Sequence, residues 1–175
     1  MVLLLPSIQA LVGSGDRLMP LVARGSAGRD IDPAIFAECR HPAGALAGAY
    51  TYFSDFENAH KVAQDDPSVE GSYWHGILHR QEPDAFNAGY WFRRVGRGHP
   101  IFPALAEAAA EIAAEYPSCG FRASGNYWDP LAFVEFCETA RRKPGTDIER
   151  AALAIQLAEW RLLFGYCAEA KDINI

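Results

Sequence analysis

Helix-opening signals recur along this chain at intervals too short to leave room for a sheet. Asp32-Pro33, Asp66-Pro67 and Asp129-Pro130 each set a capping carboxylate before a proline, a residue suited to the first helical turn because its missing N–H needs no partner there. Ser54 with Glu57, and Thr146 with Glu149, have the spacing of a capping box. Asp84 is placed to cap a helix that Gly96 ends, and Pro103 opens the alanine-rich ALAEAAAEIAAEY. Strand signals are sparse by comparison. β-Branched residues are few, and only TYF at 51–53 and the segment FRASGNYW suit short extended pieces. The expected fold class is all-α, an irregular multi-helix bundle of about seven helices.

A chain of 175 residues can bury a sizeable core without disulfides or structural metals, so one globular domain over 1–175 is expected. Within it, residues 1–30 read as an N-terminal element whose ARGSAGRD, at 23–30, is a flexible connector. The opening MVLLLPSIQALV has no basic n-region, and Pro6 interrupts it. It therefore reads as buried structure in a cytoplasmic protein, with no membrane partner. Cys39, Cys119, Cys137 and Cys167 form no CxxC pair, which favours buried free thiols in a reducing compartment. With 16 basic against 22 acidic residues, the chain lacks the broad basic face of a nucleic-acid binder.

Chemistry concentrates in HGILHRQEPDAFNAGYWFRRVGRGH, residues 75–99, which hold three of the five histidines. Between Arg80 and Arg97 four arginines face only Glu82 and Asp84, in a chain of net charge −6. The first half reads as a helix from Pro67 to about Gln81, with Tyr73, Trp74, Ile77 and Leu78 as its apolar face. His75 and His79 lie four residues apart and share one stripe at the border of that face.

Two imidazoles at this spacing can hold one transition metal, and Glu82, a turn further on, can add a carboxylate. The motif is HxxxH without the glutamate of the HExxH hydrolases. A third ligand would come from Glu82, Asp84, His99, or His60, whose spacing from Phe53 and Phe56 turns it inward. A divalent transition metal would then be the cofactor. The alternative is that His75 and His79 hydrogen-bond to neighbouring helices.

The second half, AFNAGYWFRRVG, sets Asn87, Tyr90, Trp91 and Arg94 on one side of a helix. An amide, two aromatic rings and a guanidinium suit a small polar or anionic molecule. Against this, Tyr90 and Trp91 can be core, and Arg93 and Arg97 a solvated helix end. Glu82 and Arg80, at the corner between the helices, suit a fixed ion pair or, if buried, a base with a shifted pKa.

The string SYWHGILHRQEPDAFNAGYWFRRVGRGHPIF, with DFENAHKVAQ before it and WDPLAFVEFC and LAEWRLLFGYC after it, resembles an uncharacterised family of bacterial all-helical proteins. Its members share a HxxxHRxExDxxNxxYWFRRxG-type central motif. The likeness covers most of the chain from Ser54 onward. It implies a shared helical domain and no particular reaction.

Three readings follow. In the first, His75, Arg80, Asn87, Tyr90, Trp91 and Arg94 bind a small anionic or polar molecule, with or without turnover. In the second, His75, His79 and Glu82 hold a metal that activates water, with Glu82 and His79 as the catalytic pair. In the third, the polar residues form an internal packing network, and function lies in a homo-oligomer or in contact with another protein. No Walker loop, GxSxG or strand-borne GxGxxG is present.

Overall fold

A computed structural model describes residues 4–23, 30–122 and 127–171. Among them the chain forms eight α-helices and one short 3-10 turn: α1 (Pro6–Val12), the turn (Pro33–Phe36), α2 (Pro42–Tyr52), α3 (Phe56–Asp65), α4 (Val69–Gln81), α5 (Ala85–Val95), α6 (Phe102–Glu115), α7 (Pro130–Arg141) and α8 (Asp147–Ala168). The fold is an all-α multi-helix bundle. No helix among the described residues is long and apolar enough to cross a membrane. Most of the expected 23–30 connector lies outside the described residues.

Several caps are the expected ones. Asp32, Asp84 and Asp129 each accept a backbone N–H of the turn they open, which satisfies donors that a helix start leaves unpaired. Gly96 closes α5 at φ 78°, a conformation in which a Cβ would be strained. Other starts differ. Ser54 has φ 60° and stands in the turn, so the cap of α3 passes to Asp55, which accepts from the Asn58 N–H. Asp66 spends its carboxylate on the Ser68 N–H, and Ser68 caps α4 through Gly71, so Pro67 precedes the helix rather than beginning it. At Thr146 neither bond of the box forms: Glu149 accepts from the N–H of Gly145, one residue before the cap, while the Thr146 hydroxyl donates to the Lys143 carbonyl.

The TYF segment is not extended, because Thr51 and Tyr52 finish α2. Extended pairing occurs instead where the chain leaves α8. Leu4 bridges Glu169 and Cys39 bridges Ala170, and the Arg40 N–H donates to the Glu169 carbonyl at 2.7 Å. Of the FRASGNYW segment, residues 123–126 lie outside the described residues.

One hydrophobic cluster runs from Ile8 to Ala168. α8 is its axis, packed against α2, α6 and α7. Leu163, Phe164 and Cys167 are buried, and Trp160 donates its indole N–H to the Gly48 carbonyl at 2.8 Å while stacking on Tyr52. Each fully buried aliphatic or aromatic side chain of this kind contributes roughly 1.5–3 kcal/mol. All four cysteines are buried and free.

α4 is buried on nearly every side, with α3 against one flank and α5 against another. The approach of α5 depends on Gly76, where a Cβ would come within 2.9 Å of the Phe92 ring. Any side chain there would push α5 outward, and Trp91 with it.

α4 also sends Arg80 into the core rather than to the corner. The guanidinium meets Glu159 of α8 at 2.5 Å, both side chains almost without exposure, and lies 4.5 Å from the centre of the Phe133 ring. The Tyr73 hydroxyl donates to the other Glu159 oxygen at 3.1 Å. Burial raises the Tyr73 pKa well above its ordinary value, and Glu159 raises it further, so the phenol stays protonated and able to donate. The expected Arg80–Glu82 pair is therefore replaced by Arg80–Glu159. A buried guanidinium needs an equally buried counter-charge, and Glu82 is half-exposed at the surface.

Candidate metal centre

The Ser68 cap fixes where α4 begins, and its turns then determine which side chains reach which neighbour. Tyr73, Trp74, Ile77 and Leu78 enter the core. His75 and His79, one turn apart, lie with rings nearly parallel, centroids 4.9 Å apart and planes 12° apart. α3 supplies His60, which stands edge-on to both, at 4.5 Å from His75 and 5.3 Å from His79. Phe56, one turn earlier on α3, stacks on His60.

One ring nitrogen from each of these three histidines lies within 4.8 Å of the others. The Nε2 atoms of His60 and His75 are 3.0 Å apart. Such a pair is stable only with a single proton between two neutral rings or with a cation shared by two lone pairs. Zinc–nitrogen bonds at a tetrahedral angle place two ligand nitrogens roughly 3.3 Å apart, close to what is seen here.

For His60 and His75 the surroundings favour the form that binds metal. Burial, reinforced by His60 and His79, lowers His75 to about 4. Burial and then His79 lower His60 as well, with Glu82 opposing. Both shifts favour the neutral imidazole, whose lone pair is available to a cation. His75 is also short of partners, because its Nδ1 is buried and accepts or donates no hydrogen bond.

Glu82 is not among the clustered donors. Its Oε2 lies 3.0 Å from His79 Nδ1, a contact that leaves the Nε2 of the ring without a carboxylate partner. A carboxylate so placed is the outer partner that metal-binding histidines commonly have. Of the set expected from the sequence, His75, His79 and Glu82, the two histidines cluster with His60, and Glu82 stands beside His79. The Glu82 side chain is 50% exposed and that of His79 12%, whereas His75 is 2% exposed, so the centre is closed on the His75 side and reaches solvent at its His79–Glu82 edge.

The other expected site residues divide by helix. Trp91 of α5 stacks on His75 at 3.9 Å, planes 14° apart, and Arg94 lies over the Trp91 ring at 5.2 Å. Tyr90 and Arg94 are exposed beside it. Asn87 is half-buried and donates to the capping carboxylate of Asp84 at 2.7 Å, so both residues serve the start of α5. His99 is elsewhere: its Nε2 lies 3.5 Å from Glu70, which meets His41 at the same distance on its other oxygen.

Sequence spacing found His60 only as one option among four, through its register with Phe56. It did not find the pairing of Glu159 with Arg80 and Tyr73 or that of Glu70 with His41, for which no local pattern exists. Comparison with family models, with curated proteins and with solved structures finds no match. Function has to come from the geometry of the site.

Proposed function

We propose that this chain is a metal-binding protein whose centre, held by His60, His75 and His79, takes a divalent transition ion such as zinc and presents a bound water for hydrolysis. The observation that carries this reading is the gathering of three ring nitrogens within 4.8 Å from two helices. Three histidines with an open fourth position are the donor set of water-activating zinc, which lowers the pKa of the bound water to near 7. The solvent-facing edge at His79 and Glu82 is where that position and an incoming substrate would lie.

Glu82 has two tasks in this reading. Through Oε2 it fixes the tautomer and tilt of His79, and its exposure leaves it near enough to solvent to take up a proton from attacking water. The free, buried cysteines support a reducing compartment of the kind expected in the cytoplasm.

The test is cobalt(II) or zinc titration of protein purified without a histidine tag. One equivalent of cobalt should give visible ligand-field bands, and His75→Ala and His79→Ala should abolish them while circular dichroism stays helical. A wild-type protein that takes up neither ion, and whose melting temperature neither ion moves, would sink the proposal.

A further inference from the structure

We propose a second binding site, independent of the metal centre: the cleft between α5 and α7 takes a small oxyanion, a carboxylate or a phosphate monoester, that carries an apolar body. The cleft has a volume of about 300 Å³ and is lined by Phe92, Arg93 and Arg97 from the end of α5 and by Tyr127, Asp129 and Leu131 from the entry to α7. That volume is at the small end of the range for ligand sites. Its walls belong to two helices packed against each other, which sets its shape before a ligand arrives.

Arg93 and Arg97 supply the charge. A solvated helix end needs no cavity, yet these two arginines line the same one, on either side of the Gly96 stop. Neither forms an ion pair or a hydrogen bond with a described residue. Arg97 rests 5.8 Å from the centre of the Tyr127 ring. Arg93 folds back beside Gly89, where a Cβ would come within 3.2 Å of its Nη1. Two guanidinium forks with open N–H groups suit the oxygens of one carboxylate or phosphate.

The one carboxylate in the lining is already engaged. Asp129 Oδ1 accepts from the N–H groups of Leu131 and Ala132, at 2.9 and 3.3 Å, and so caps α7. No acidic residue occurs between Asp84 and Glu107, an interval that holds both arginines, although the chain as a whole carries −6. An anion therefore meets a local positive spot on an acidic protein. Beside that spot Leu131 is 36% exposed, apolar surface that the body of a ligand would cover. A bare phosphate or acetate would use the charged end alone.

Calorimetric titration of the metal-free protein tests the site, with phenyl phosphate and benzoate as probes and with inorganic phosphate and acetate as their counterparts without an apolar body. One equivalent of phenyl phosphate or benzoate should bind, and the tighter of the two identifies the oxyanion. It should bind roughly ten-fold or more tightly than its bare counterpart, as burial of about two methylene-sized groups implies. Arg93→Ala and Arg97→Ala should each weaken it about ten- to a hundred-fold, the range for hydrogen bonds to charged groups, with an unchanged melting temperature. Arg142→Ala, which removes the same charge at the far end of α7, should match wild type. The proposal is overturned by no saturable binding of either aromatic probe, by binding that either cleft variant leaves intact, by an equal loss in Arg142→Ala, or by equal affinity for the bare ions. With no metal present, each of these outcomes stands whether or not the histidine cluster binds zinc.

Discussion

Helix α4 carries two polar clusters on different faces, and they are assembled differently. Towards α8, Arg80 and Glu159 neutralise each other in the core, and Tyr73 takes the remaining carboxylate oxygen. Towards α3, His60, His75 and His79 bring nitrogen to nitrogen, with no charge of opposite sign inside the group and only Glu82 at its rim. The first cluster is balanced in charge, although Arg80 Nε and Nη1 are buried there without a hydrogen-bond partner. The second gathers lone pairs in a place where one cation would satisfy all of them, and it is the one that reaches solvent. Polar density alone does not distinguish a packing network from a site; internal charge balance does.

The largest expected effect tests the closed cluster. Glu159→Leu leaves the Arg80 charge buried without a partner and should cost about 3–5 kcal/mol. The double variant Arg80→Met/Glu159→Leu should recover most of that loss, because it removes the charge and its counter-charge together. Urea denaturation of both variants checks this. A Glu159→Leu protein within ~1 kcal/mol of wild type, the range of an exposed pair, would remove the contrast between the clusters.

Metal linkage tests the open cluster. At a zinc concentration a hundredfold above Kd, the wild type should gain about 2.7 kcal/mol, seen as a rise in melting temperature. His60→Ala should lose this gain. If it retains the full shift, α3 is not part of the centre, and the two α4 histidines act with some other donor.

Glu82→Gln should have a smaller and more selective effect. Loss of an outer partner costs roughly 10–100-fold in metal affinity, while the metal-free protein should barely change, since Glu82 is half-exposed and such pairs contribute about 0–1 kcal/mol. Competition with a chelator of known affinity gives the first number and urea denaturation without metal gives the second. An affinity equal to wild type would reduce the His79–Glu82 contact to a surface feature.

The helical class was legible because capping is local: Asp32, Asp84 and Asp129 act on N–H groups two or three residues away. Where two neighbouring side chains could each cap, the choice went to the one whose backbone permitted it, as at Ser54 and Asp55. The α4–α5 corner was legible for the same reason, and so were His75 and His79 as one stripe. The partner of Arg80 was not legible, because Glu159 lies 79 residues further along the chain while Glu82 is two residues away; burial decided between them, and burial is a property of the packed bundle. His60, one of four candidates for a third ligand, was singled out only when α3 was set against α4. The role of Glu82 changed with it, since a third histidine filled the place that the carboxylate had been given.

Glu70 offers the subtlest test, because it shows histidines used for packing beside histidines gathered for a metal. Its carboxylate lies between His99 and His41 on α4's first turn, with the buried thiol of Cys167 also within its field. Burial keeps that thiol protonated and uncharged. The neighbouring His99, 3.5 Å away, lowers the Glu70 pKa below its ordinary value of 4.5, and burial opposes it without reversing the shift. A carboxyl depressed on folding contributes stability that is fully present above its unfolded value and is lost as pH falls through its folded value. Wild type should therefore exceed Glu70→Gln at neutral pH, and the margin should shrink as pH falls below the ordinary carboxylate range near 4.3. Urea midpoints of the two proteins between pH 7 and pH 3, in the presence of a chelator, measure this. A margin independent of pH would mean that the carboxylate acts there by shape and not by charge. A margin that closed only when zinc was added would tie Glu70 to the open cluster and not to packing.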